Sequence, residues 1–80
     1  MKVKVYITLK NEVLDPQGQA IQGSLISLGF TEVLDTRAGK FIELDVNLKE
    51  KAAAKAQVEK MCEKLLANTV IEDYRVEISA

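Results

Sequence analysis

The side chains able to move a proton or form a bond are few in this chain, and their spacing suits neither task. Cys62 falls within an apolar stripe of helical period, and Ser24 and Ser27 share a helical segment in a sequence that has no histidine. Nucleophilic catalysis needs a hydroxyl or thiol beside a base that takes its proton. A thiol packed among aliphatic groups is instead a small, inert hydrophobe. Paired carboxylates occur as Glu72-Asp73, consecutive at the entry to an extended segment, where neighbouring side chains point apart. Neither G-x-G-x-x-G nor G-x-x-x-x-G-K-[ST] is present, and the Gly39-Lys40 pair belongs to a turn rather than a strand-loop-helix. Arg37 and Lys40 flank that turn, so two cations and an open backbone can meet an anion or a partner's carboxylate. The lack of histidine also removes the commonest zinc ligand, and a single cysteine excludes an intramolecular disulfide. A self-contained enzyme is not expected.

Composition narrows the class further. Eighty residues make one domain, spanning 1–80, and 48% apolar with 29% charged residues is ordinary for a folded globule. Eleven Lys and Arg against twelve Asp and Glu give a net charge of −1. That balance gives little support to the clustered cationic surface that nucleic acid requires. No apolar run approaches the ~20 residues of a membrane span. The N-terminus, Met-Lys-Val-Lys-Val, alternates from its first residues with no signal-peptide core before it, so a reducing cytoplasm is the expected compartment. A chain this short buries only about 60% of its unfolded surface, which makes association with other chains a natural source of stability.

The elements that must position these residues follow from periodicity. Val3, Val5, Ile7 and Leu9 alternate with Lys2, Lys4, Tyr6, Thr8 and Lys10, the mark of a half-buried strand. Asp15-Pro16 opens a helix, the carboxylate capping free N–H groups and proline taking the first turn. Ile21, Leu25 and Leu28 form its apolar stripe, and Gly29-Phe30 ends it in a left-handed Schellman cap. Thr31 to Leu48 reads as a hairpin. A three-residue loop of Arg37, Ala38 and a left-handed Gly39 pairs Leu34 with Ile42 and keeps Ile42, Leu44 and Val46 on the apolar face, opposite Phe41, Glu43 and Asp45. From Leu48 to Ala67 the period returns to that of a helix, with Ala54, Val58, Met61, Cys62 and Leu65 inward, an Asn47/Glu50 capping box and a left-handed stop at Asn68. From Val70 to Ser79 the alternation resumes, with Tyr74, Val76 and Ile78 opposed to Arg75 and Glu77. The order β-α-β-β-α-β with right-handed crossovers predicts an α+β, ferredoxin-like domain: an antiparallel sheet with two helices on one face.

That topology leaves one sheet face open, expected to carry Tyr6, Val33 and Phe41 among Lys4, Asp35 and Glu43. RNA-binding domains of this topology stack bases on such aromatics, but an acidic surround repels phosphate. Aromatic groups in a polar setting fit a subunit contact better, an isologous dimer being the commonest closed assembly.

Four blocks in order, Val13-Leu14-Asp15-Pro16-Gln17-Gly18, Leu28-Gly29-Phe30, Arg37-Ala38-Gly39-Lys40-Phe41-Ile42-Glu43-Leu44 and Leu65-Leu66-Ala67-Asn68-Thr69-Val70-Ile71-Glu72-Asp73-Tyr74, resemble the PurS family, the small subunits of phosphoribosylformylglycinamidine synthase. The match covers nearly the whole chain, departing at Thr69, where relatives often have proline, and at Thr36, where a larger apolar residue is frequent.

The resemblance implies a non-catalytic role in de novo purine biosynthesis. A PurS-like chain joins a glutaminase subunit (PurQ-like), which releases ammonia from glutamine, to a large synthetase subunit (PurL-like), which uses ATP and magnesium to add it. The implied chain binds no cofactor itself and is a homodimer or higher oligomer. Candidate subunit contacts are Tyr6, Arg37, Lys40, Phe41, Glu72, Asp73 and Tyr74. The competing expectation is a free-standing ACT-like module that binds a small metabolite.

Overall fold

A computed structural model describes residues 1–79. Strand β1 (Lys2–Leu9) is followed by helix α1 (Pro16–Ser27), strand β2 (Gly39–Asp45), helix α2 (Lys51–Met61) and strand β3 (Glu72–Ser79). The strands form one antiparallel sheet in the order β2-β1-β3. In register, Val3, Val5 and Ile7 pair with Leu44, Ile42 and Lys40 on one side and with Ile78, Val76 and Tyr74 on the other. Because side chains alternate across a strand, this places the β-branched rows on one face, as their period of two requires. The architecture is α+β and ferredoxin-like, with an antiparallel sheet and two helices.

The core lies between that face and α2. Val3, Val5, Ile7, Val58 and Cys62 are fully buried, with Ile42, Leu44, Val46, Leu66, Tyr74, Val76 and Ile78 packed around them. One turn of π-helix, Cys62–Leu66, prolongs α2 and closes with the Ala67 N–H donating to the Cys62 carbonyl at 3.0 Å. The wider turn rotates the side chains after Cys62. Leu66 and Ala67 therefore reach the core, and Leu65, expected inside, is 83% exposed. Met61 is exposed as well.

The ends of the elements repeat this mixture of agreement and correction. The Asp15 cap and the Schellman stop form as expected: the Phe30 N–H donates to the Leu25 carbonyl, the Gly29 N–H to that of Ile26, and Gly29 has φ 102°. The capping box does not form. Glu50, not Asn47, is the N-cap of α2, and it makes no side-chain cap bond. Asn68 has no positive φ; its side chain accepts from the Val70 N–H, and its carbonyl accepts from Ile71 and Glu72. Gly39 is not left-handed either. A Cβ there would lie 2.5 Å from the Ile7 carbonyl oxygen, so glycine is required for close strand approach.

The largest departure concerns residues 31–38, the expected first arm of the hairpin. They form no ladder with β2, so Leu34 does not pair with Ile42 and stands 91% exposed. Helix α1 contributes nothing to the core; its only buried residue is Gly18, and Ile21, Ile26 and Leu28 are exposed. A strand needs a partner, and a helical stripe needs a surface to cover. Neither is supplied among the described residues. The radius of gyration records this openness, at 15.8 Å against about 12 Å for a compact chain of this length.

Candidate functional site

Among the described residues, three clusters of polar and aromatic side chains survive the construction of the fold. The first is on the face of the sheet turned away from α2. Register puts Tyr6 opposite Phe41 on β2 and Arg75 on β3. The two rings have centroids 5.1 Å apart and tilted by 32°, and the Arg75 guanidinium lies 4.2 Å from the Tyr6 ring centre. The geometry is that of an aromatic pair with a cation stacked on its π face. Arg75 is also paired with Glu77. Further along, Lys4 lies between Glu43 and Glu77, and Lys2 Nζ is 3.8 Å from an Asp45 carboxylate oxygen. Val33 and Asp35, expected on this face, are absent from it because residues 31–38 join no strand. Arg75 was legible only as an outward residue; its stacking follows once strand register is known.

The second cluster is at the entry to β3. Glu72 and Tyr74 lie on the α2 side and Asp73 on the other, the divergence expected of consecutive strand residues. One Glu72 oxygen accepts from the Asn68 N–H at 2.6 Å, and the other is 3.8 Å from Lys40 Nζ. Asp73 pairs with Lys10 at 3.4 Å. The Glu63 carboxylate, which lines the same groove as Tyr74, together with burial pushes the Tyr74 pKa up to about 12. Lys10, Glu63, Thr69, Glu72, Asp73 and Tyr74 line a groove of about 350 Å³. Glu63 and Lys10 had no sequence signal for this place.

The third cluster ties the outer half of the chain to the sheet. Asp15, 5% exposed, accepts from the Gly18 N–H with one oxygen (3.0 Å) and from the Ala38 N–H with the other (2.8 Å). These two backbone bonds, helped by the Arg37 charge, hold its carboxyl below the usual range against the opposing effect of burial. The Arg37 guanidinium donates to the carbonyls of Lys10 (3.0 Å), Leu9 (3.2 Å) and Val13 (3.4 Å). It is therefore engaged with its own chain, apart from Lys40. A groove of about 640 Å³ opens beside this cluster, between the β1–α1 connection, α1 and Thr36, whose buried hydroxyl has no partner.

Chemically, these clusters can stack, pair and clasp. Cys62 is buried in the core, where desolvation raises its pKa, so the thiolate is disfavoured. Among the described residues no group of three or more His, Cys, Asp or Glu is placed to hold a metal ion, and no helix is long and apolar enough to cross a membrane.

The fold and these clusters define a small α+β domain equipped with contact surfaces. Its relatives make the class specific. The family profile described as PurS, phosphoribosylformylglycinamidine (FGAM) synthase, matches residues 2–80. The PurS subunit of phosphoribosylformylglycinamidine synthase from Bacillus subtilis is 56% identical over 77 residues, 96% of this chain and 90% of that protein. A crystal structure of Methanocaldococcus jannaschii PurS superposes with a TM-score of 0.89 at 41% identity, covering 98% of this chain and 94% of the other. A chain in the structure of PurLQS from Thermotoga maritima gives 0.87 at 36% identity, covering 95% and 93%. The chain belongs to the PurS family of phosphoribosylformylglycinamidine synthase, an enzyme of purine biosynthesis.

Proposed function

We propose that this chain is the small subunit that bridges a glutaminase and a large synthetase subunit so that ammonia passes between them without entering bulk water. The observation that carries the reading is the uncovered outer half. Ile21, Ile26, Leu28, Phe30 and Leu34 are all exposed, and among the described residues the hydrophobic core lies between the sheet and α2. Large exposed apolar patches mark protein contacts rather than small-molecule pockets. In this reading a second copy covers the outer half, giving a homodimer or higher oligomer. The sheet face of Tyr6 and Phe41 and the groove at Glu72, Asp73 and Tyr74 are left to meet the larger subunits. The Thermotoga maritima relative stands in an assembly named PurLQS, which supports partners of that kind.

ATP, magnesium and glutamine are then used by the complex, and this chain contributes position. Ammonia released into solvent is protonated and diluted, whereas aligned and closed sites keep it at high effective concentration. Gel filtration of the chain with its glutaminase and synthetase, with and without glutamine and ADP, tests the reading. Co-elution, with glutamine-dependent synthesis that requires this chain, is expected. Independent migration under every condition, or full synthesis in its absence, would overturn it.

A further inference from the structure

The apolar core stops at the sheet and α2, so something else must set the direction of α1 and of residues 31–38. Three groups of polar contacts do so. The Asp15 carboxylate bridges the Gly18 and Ala38 N–H groups, Arg37 gathers the carbonyls of Leu9, Lys10 and Val13, and the Gln22 amide donates to the Leu34 carbonyl at 3.3 Å. The first two interlock: Arg37 and Ala38 are adjacent, and their partners all lie in the stretch from Leu9 to Asp15 that leads into α1. Gly18 completes the fit. A Cβ at that position would come within 2.5 Å of the Thr36 carbonyl oxygen and 2.6 Å of Asp15 Oδ2.

We infer that Asp15, Gly18 and Arg37 are positioning residues. They form a clasp that fixes the angle of the outer half against the sheet, and through that angle the alignment of the proteins seated on it. Arg37 thus serves assembly from within the chain. Its five donors in a rigid fork suit several carbonyls at once, which a lysine ammonium does not. The carboxylate is the complementary acceptor, taking an N–H on each oxygen. A clasp of hydrogen bonds differs from a core in its response to perturbation. Opening it removes a direction and leaves the buried residues of β1 and α2 untouched, since none of the three residues belongs to the hydrophobic cluster.

The part of the inference that concerns alignment rests on the bridging function proposed above, and the experiment separates the two. Asp15→Asn retains an acceptor for the Gly18 N–H but turns an amide donor toward the Ala38 N–H. Gly18→Ala favours helix by propensity while crowding Thr36, so a role confined to helix stability predicts slower exchange, and the clasp predicts faster. Hydrogen exchange of the purified full chain should show the Ala38 amide exchanging about tenfold faster or more in both variants, with Val3, Val5, Ile7 and Val58 unchanged. In the reconstituted assembly at saturating chain, product formed per glutamine hydrolysed should fall several-fold in both variants. Unchanged exchange at Ala38 would overturn the clasp outright. Faster exchange with full coupling would overturn its role in alignment. If the unaltered chain gives no assembly, the bridging function fails instead, and the exchange at Ala38 decides the clasp alone.

Discussion

Replacing Leu34 by serine distinguishes a lone protomer from one whose outer half is covered by a copy of itself. The side chain is 91% exposed, and the residue's one long-range bond uses its backbone carbonyl, which the substitution retains. In an isolated protomer almost no burial is lost, so stability should change by less than about 0.5 kcal/mol, as for ordinary surface positions. In an isologous pair the same residue is buried twice. Full burial of a leucine is worth about 1.5–3 kcal/mol, so the dimer loses roughly 3–6 kcal/mol, or about two to four decades in Kd. Sedimentation equilibrium over a wide concentration range measures that constant, and circular dichroism verifies that the protomer remains folded. A Leu34→Ser dissociation constant equal to that of the unaltered chain would show that no second copy covers this residue. A chain that is monomeric throughout would refute the reasoning more broadly.

Other perturbations probe the core and the titrating groups. Ile7→Ala empties a fully buried site in the central strand and should cost about 2–5 kcal/mol in urea unfolding. Gly39→Ala sets a methyl against the Ile7 carbonyl and Thr8, so the melting temperature should drop and exchange should accelerate at the β1–β2 end. Tyr74, with its pKa raised to about 12 from 10.0, binds its proton more tightly folded than unfolded. Its stabilising effect is therefore complete below pH 10 and is lost as pH rises toward 12. Ultraviolet titration should show late ionisation of this phenol, advanced to lower pH by Glu63→Gln. Cys62, buried with a raised pKa, should resist alkylation at neutral pH until denaturant is added.

Much of the fold is legible because its signals are local. Alternation fixes which side chains of β1, β2 and β3 share a face, and Asp15-Pro16 and Gly29 mark the ends of α1 by conformational necessity. The π turn leaves no comparable mark. One bond from Ala67 to Cys62 instead of the usual register exchanges Leu65 for Leu66, and no residue type announces it. Residues 31–38 fail for a different reason. Alternation states that a segment suits a strand but does not supply its partner, and no strand among the described residues pairs with this segment. Arg37 misleads likewise, because a cation beside a glycine turn reads as free until acceptors 24 to 28 residues away arrive. Tyr6 and Phe41 were recognisable as outward aromatics, whereas the Arg75 stack required register across two strand pairs.

The division between a dry half and a wet half bears on how such a chain does its work. Full burial of each large apolar side chain contributes about 1.5–3 kcal/mol, whereas a hydrogen bond contributes about 0.5–1.5 kcal/mol net. The sheet and α2 are thus the part that resists unfolding, and the outer half is oriented by weaker, directional contacts. A net charge of −1 gives little electrostatic protection against association through the exposed leucines. Covering them requires protein, and a second copy has the advantage of being made at the same concentration and of closing by symmetry. In the proposed homodimer the angle of the outer halves is shared by both protomers, and on that proposal any error at Asp15 or Arg37 is imposed on every surface of the assembly. The most damaging substitutions for a bridging subunit are therefore expected where stability is least affected, in the polar contacts that set direction.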